Sequence, residues 1–463
     1  MKKYILPLVL LSGVFPAAVS VAQNVNPPRG NGNAPPPPPN LAGVIDPGVR
    51  GGSVDAGNPL ADLDLAEADF FEAAREVFAQ ITSVRGSLPG ETGRGLGPRF
   101  NMTSCAGCHA YPAIGGTSPA RNPQIEAASM HAARNIVPSF ITANGPVRVA
   151  RFVRNAAGQR DGGVYQLFVI SGRTDAGNCA IVQPDFATEL VANNVVFRIP
   201  TPLFGLGFVE NTPDANLRAA FAENATAKTA LGVSGHFNTS DNDGTILRLG
   251  WKAQNKSIAL FSGEAFNVEQ GVTNEIFPNE REDNASCQLT ALPEDHTQFE
   301  TIPHTVSTAS SAASRTANVT AFIRLLAPPA PVVTTASQRG AQVFSAIGCQ
   351  TCHIPTQTTG PSEIPALDRV TYRPYSDFAL HNMGQRLNDG VTQGAAAGPD
   401  WRTAPLWGLG QRLFFLHDGR TSDLVAAISA HASPGSEANA VIDNFNGLPR
   451  SQIEDLLAFL RSL

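Results

Sequence analysis

Cys105-Ala106-Gly107-Cys108-His109, echoed by Cys349-Gln350-Thr351-Cys352-His353, is the stretch whose reading decides this chain. Two cysteines separated by two residues and followed at once by histidine form the attachment pattern of a c-type haem. Thioether bonds to both vinyl groups fix the porphyrin edge where the adjacent imidazole reaches the iron. Cys105, Cys108, Cys349 and Cys352 are then the attachment points, and His109 and His353 the proximal iron ligands. A zinc site would want two further thiolates or imidazoles nearby, and a redox dithiol has no use for histidine at the next position twice over. The pattern occurs twice and uses four of the six cysteines, which favours two haems over either alternative.

At 463 residues the chain has room for two or three domains with real cores. Lys2-Lys3, an apolar run from Tyr4 to Val19 and Ser20-Val21-Ala22 read as a secretory signal over 1–22, cleaved before Gln23. Export, to the periplasm or beyond the cell, suits haem attachment and makes a disulfide between the remaining cysteines, Cys179 and Cys287, the expected state rather than two buried thiols. No other long apolar run exists, so no membrane span is expected. Removing the signal takes away two lysines and no acids, so the formal charge moves from −6 to −8. That acidic balance argues against nucleic acid as a partner.

Residues 23–58, with Pro35 to Pro39, have little to bury and are expected to be an extended, disordered tether. Apolar residues at helical spacing over Leu60–Gln80 predict a helix ahead of the first motif. From Val147 to Pro200 the pattern changes to short β-like runs, Val164–Ile170 and Val195–Ile199. Helical spacing returns over Ser257–Gln270 and Val319–Leu326, where Ala327-Pro328-Pro329-Ala330-Pro331 marks the clearest boundary. Beyond it Ser337–Ile347, Asp423–His431 and Gln452–Leu463 read as helices. The expected fold is mainly α: two cytochrome-c-like haem domains, 59–327 and 328–463, the N-terminal one enlarged by irregular and short β insertions.

An internal echo supports the duplication. Arg198-Ile199-Pro200-Thr201-Pro202-Leu203-Phe204-Gly205-Leu206-Gly207 is matched by Arg402-Thr403-Ala404-Pro405-Leu406-Trp407-Gly408-Leu409-Gly410, and each follows a haem motif. The second of these, together with Phe414-Phe415-Leu416-His417-Asp418-Gly419-Arg420 and the two haem motifs, resembles the dihaem oxidoreductase family, the thiol oxidoreductase-like peroxidases. That family is related to bacterial dihaem cytochrome c peroxidases, to the methylamine-dehydrogenase maturation enzyme and to the dihaem rubber oxygenases. The resemblance runs from about residue 95 to Leu463.

It implies roles for particular positions. In the peroxidases a helix after the His-Asp-Gly stretch leads to the sixth ligand of the C-terminal haem; here that helix ends at His431. The second haem is then bis-histidine, His353 and His431, as in the rubber oxygenases, with Met383 the runner-up. A bis-imidazole iron has a lower potential than a His/Met one, which sets this chain apart from a simple peroxidase relay. Asn267-Val268-Glu269-Gln270-Gly271 resembles the motif that places a distal glutamate over the open iron, so Glu269 is the candidate acid/base, with Glu264 and Glu275 as rivals. Trp251 and Trp407 are candidate electron relays. The related peroxidases hold calcium between their domains. Asp241-Asn242-Asp243-Gly244 has acids and a turn glycine of the right kind but lacks the rest of a calcium loop.

Taken together, these features predict an exported enzyme with two covalent haems. Peroxide or oxygen would be the small oxidant at the first, and electrons would pass through the second from a donor protein or quinol-linked donor. Two other readings stay open at this level. One is an oxygenase or protein-modifying enzyme. The other is an electron-transfer cytochrome whose first iron is capped by Met102, Met130 or a histidine.

Overall fold

The computed structural model describes residues 41, 43–51, 55–298 and 312–463. The expected signal and most of the expected tether lie outside the described residues. Two helix pairs, built alike, carry the two Cys-x-x-Cys-His stretches.

The first pair starts at Leu65–Ala79, where the Asp64 carboxylate accepts from the Glu67 amide at 2.8 Å and the Glu67 carboxylate from the Asp64 amide at 3.0 Å. This reciprocal cap satisfies amides that have no partner inside the helix. Phe71, Ala74 and Phe78 share its buried face and pack on the helix Arg315–Leu325, where Phe322 meets Phe71 and Phe78 at 5.2 and 4.8 Å between ring centroids. In the second pair, Thr335–Ala346 packs on Arg450–Ser462, with Phe344 and Phe459 at 5.2 Å. The helices touch backbone to backbone at Gly340: a Cβ there would lie 1.9 Å from the Asp455 carbonyl oxygen.

The echo seen in the sequence is also an echo in space. Gly207 follows the first Pro-containing stretch and abuts Arg324, near the end of one helix; Gly410 follows the second and abuts Arg461, near the end of the other. A Cβ would sit 1.9 Å from the first carbonyl oxygen and 2.0 Å from the second. Only glycine allows either approach.

The sheets are small and all antiparallel. Val149–Phe152 is the centre of a three-stranded sheet, with Ala150 opposite both Tyr165 and Phe197. The run Val164–Ile170, expected as a short β-like run, is not one strand. Val164–Tyr165 joins that sheet, whereas Phe168–Val169 pairs with Arg99–Phe100. Asn101 causes the break, its side-chain oxygen accepting from the Leu167 amide at 3.0 Å. Cys179 and Cys287 are joined by a disulfide inside the core of this region.

Two further departures concern the ends of the predicted units. The last part of the expected tether is packed: Leu41 belongs to the core of the second helix pair, and Asp46 pairs with Arg461 and accepts from the Leu424 amide at 2.8 Å. The proline run after Leu326 ends a helix, yet segments on both sides of it share one core, in which Phe322 is joined by Leu367, Tyr372, Phe378 and Trp407. No helix among the described residues is long and apolar enough to cross a membrane.

Candidate haem sites

The second motif opens onto a cavity of about 220 Å³. Cys349, Cys352 and His353 line it from one side and His431 from the helix Leu424–Ser429, whose end it follows; Phe344, Leu406, Leu424 and Phe445 supply an apolar wall. Each imidazole is fixed through Nδ1, His353 on the Tyr375 carbonyl at 2.8 Å and His431 on the Ala427 carbonyl at 2.9 Å. That leaves Nε2 as the free ring nitrogen of both, the state a metal-binding histidine takes. Burial outweighs these bonds and lowers both pKa values, that of His353 to about 4, so the rings are neutral and available as ligands. Two free thiols, two neutral imidazoles and an apolar cavity between them fit a covalently held haem. Met383, the rival to His431, lines the same cavity.

At the first motif the Ser104 hydroxyl caps the single turn Cys105–Cys108 by accepting from the Gly107 amide at 3.0 Å. His109 Nδ1 lies 2.9 Å from the Gly116 carbonyl, and burial lowers its pKa to about 4. The two proximal histidines are supported alike: Phe78 lies 6.1 Å from the His109 ring, and Phe344 6.2 Å from that of His353. Burial pushes the Cys105 and Cys349 thiols up to about 12. Gln270 donates to Cys105 Sγ at 3.5 Å, while its Oε1 is buried without a partner, the kind of orphaned atom that a bound group accounts for.

Glu269 ends the helix Ile258–Glu269 next to Gln270 and is half-buried. Desolvation raises its carboxyl pKa to about 7, although Asn101 Nδ2 donates to Oε2 at 2.8 Å and pulls the other way. The carboxylate charge is felt at both Cys105 and Cys108. Of the rivals, Glu264 is taken by Asn255 Nδ2 at 2.5 Å, and Glu275 is exposed and bound to the Thr297 amide at 2.8 Å. Met102 is buried against Gly107, and Met130, like Cys108, packs against the core that holds Met102.

Trp251 lines the large cavity and also a small one of about 10 Å³, shared with Thr201, Arg402 and Arg412. Trp407 lines neither; it packs in the first core. Asp243 is bound to Lys256 Nζ at 2.5 Å and to Thr245, so its stretch is a salt-bridged turn. Among the described residues no cluster of His, Cys, Asp and Glu is arranged to hold a metal ion. Sequence reading missed Asn101 and Arg412, and it quoted Gln270 and Arg402 without giving them a role. It also missed the stack of His417 on Trp401, 3.7 Å between centroids in the wall of the large cavity.

A family model described as "Di-haem oxidoreductase, putative peroxidase" matches residues 152–463, which include the second motif but not the first. A search of curated proteins finds no match. Among solved structures, the diheme peroxidase BthA from Burkholderia thailandensis is similar at 13% identity over 91% of this chain and 94% of its own, with a TM-score of 0.35. Kuenenia stuttgartiensis hydrazine synthase matches at 18% identity over 32% of this chain and 55% of its own (TM-score 0.22). A MauG-like protein associated with microbial copper homeostasis matches at 19% over 32% and 52% (TM-score 0.22). The chain spans about half the length of these last two.

Proposed function

Because this chain belongs to the di-haem oxidoreductase family, we propose that it is an exported, peroxidase-like enzyme with two c-type haems held in two cytochrome-c-like units, 59–327 and 328–463. Peroxide or oxygen chemistry takes place at the first, and the second passes or stores electrons. The matched helix pairs, each with a phenylalanine on its proximal histidine, support the two units. The disulfide between Cys179 and Cys287 supports export, since such bonds persist where the redox poise is oxidising.

The observation that carries the reading is Glu269, a half-buried carboxyl with a pKa of about 7 in reach of the first motif's thiols. Cys105, Cys108 and His109 would hold the first haem, whose iron would supply redox chemistry toward peroxide or oxygen. Glu269 would take a proton from one oxygen of peroxide and return it to the other, which leaves as water as the O–O bond breaks; two electrons from the donor and two protons from solvent turn the remaining oxygen into a second water. Asn101 holds the carboxyl in place for both transfers. His353 and His431 would hold the second haem, which would supply electron transfer, and Trp251 lines both this cavity and the small one it shares with Thr201.

Met102, packed on Gly107, is the one observation in favour of an electron carrier with a capped first iron. Peroxide turnover separates the two: the two-haem protein should consume one peroxide for every two electrons from a reduced dye. No consumption with both haems in place removes the enzymatic reading.

A further inference from the structure

Two guanidinium groups in the wall of the large cavity have no counter-charge among the described residues. Arg402 and Arg412 are both buried and line both the large and the small cavity. Arg402 donates through Nε to the Gly250 carbonyl at 2.7 Å, but its Nη1 is buried without a partner. Among the described residues no carboxylate acts on either group, and the charged neighbour of Arg402 is Arg412. Several other buried cations have acids: Arg198 and Lys252 share Asp389, Arg461 has Asp46, and Lys228 has Asp377. The acid in the cavity wall, Glu437, is taken by His381 at 2.9 Å and by the amides of Ser234, Gly235 and Asn382.

Burying two unpaired like charges side by side is strongly unfavourable unless something of opposite charge completes the site. A haem carries two carboxylates, and a guanidinium matches a carboxylate with two parallel donors. We propose that Arg402 and Arg412 clamp the propionates of the second haem and, by neutralising them, raise its potential above what two imidazole ligands alone would set. This rests on the second haem lying between His353 and His431. The two arginines share the small cavity with Trp251 and Thr201, whose backbone adjoins the His109 ring.

The test is spectroelectrochemistry of the holoprotein, following the low-spin haem in Arg402→Gln and Arg412→Gln and in the corresponding lysine variants. Each glutamine variant should lower that haem's midpoint potential and leave the other haem's unchanged, because loss of a positive charge disfavours the electron-rich state. The lysine variants should stay near the parent. Equal potentials for the glutamine and lysine variants, with two haems per chain, overturn the clamp while leaving the haem site intact. A mass corresponding to a single haem, absent from Cys349 and Cys352, overturns the site and the clamp together.

Discussion

Asn101 Nδ2 donates to Glu269 Oε2 at 2.8 Å, while Asn101 Oδ1 accepts from the Leu167 amide at 3.0 Å. One asparagine therefore positions the candidate acid/base and ties it to the inserted β region. A carboxyl used as both base and acid works best with a pKa near the working pH, and burial brings Glu269 to about 7.

Glu269→Gln should slow reaction with peroxide by roughly 10²–10⁴-fold, the usual size of a positioned acid/base, without loss of haem. Stopped-flow absorbance measures the rate and a pyridine haemochrome assay the haem. An unchanged rate removes Glu269 from the chemistry.

The ionised carboxyl takes the first proton, so the rate should rise with pH through about 7 in the parent protein. The Asn101 bond favours the ionised form, and Asn101→Ala should therefore move this midpoint upward. It should also cost about 1–3 kcal/mol of stability by orphaning the Leu167 amide, read as a lower denaturation midpoint. A midpoint that does not move breaks the link between the two residues.

Much of this arrangement is legible in the sequence because it is local. The haem motifs, the apolar spacing of Phe71, Ala74 and Phe78, and the paired Arg-to-Gly stretches are contiguous patterns. What is hidden depends on residues far apart. Asp46 looks like part of a tether because its partner Arg461 is 415 residues away. Val164–Ile170 reads as one β-like run because Asn101, which divides it, lies 66 residues before Leu167. Arg402 and Arg412 are informative through the acids they lack, and a missing partner leaves no trace in the sequence.

Gly207→Ala and Gly410→Ala test the structural repeat. Each added methyl must displace a carbonyl at the end of a core helix. Each should therefore destabilise the protein by about 1–3 kcal/mol, measured by chemical denaturation. If either variant is as stable as the parent, the close approach at that position is wrong.

Cys179→Ser with Cys287→Ser opens a link between residues 108 apart. Loss of roughly 2–5 kcal/mol is expected, with both haems retained, because the four haem cysteines are a separate set. Thermal unfolding under oxidising conditions measures the loss, and no change would show that the bond contributes nothing.

The His431 assignment is open to a spectroscopic test. His431→Ala should convert the second haem from low spin to high spin, seen in the optical charge-transfer bands. If the spectrum is unaltered, Met383, in the same cavity, becomes the ligand to replace next.

The central claim is that the two haem anchors, alike in their proximal support, differ on the other face of the iron. An electron paramagnetic resonance spectrum of the oxidised protein tests this most directly. A high-spin signal from the haem at His109 is expected beside a low-spin signal from the haem at His353 and His431. Two low-spin signals that do not change on adding peroxide, before or after partial reduction, would contradict it.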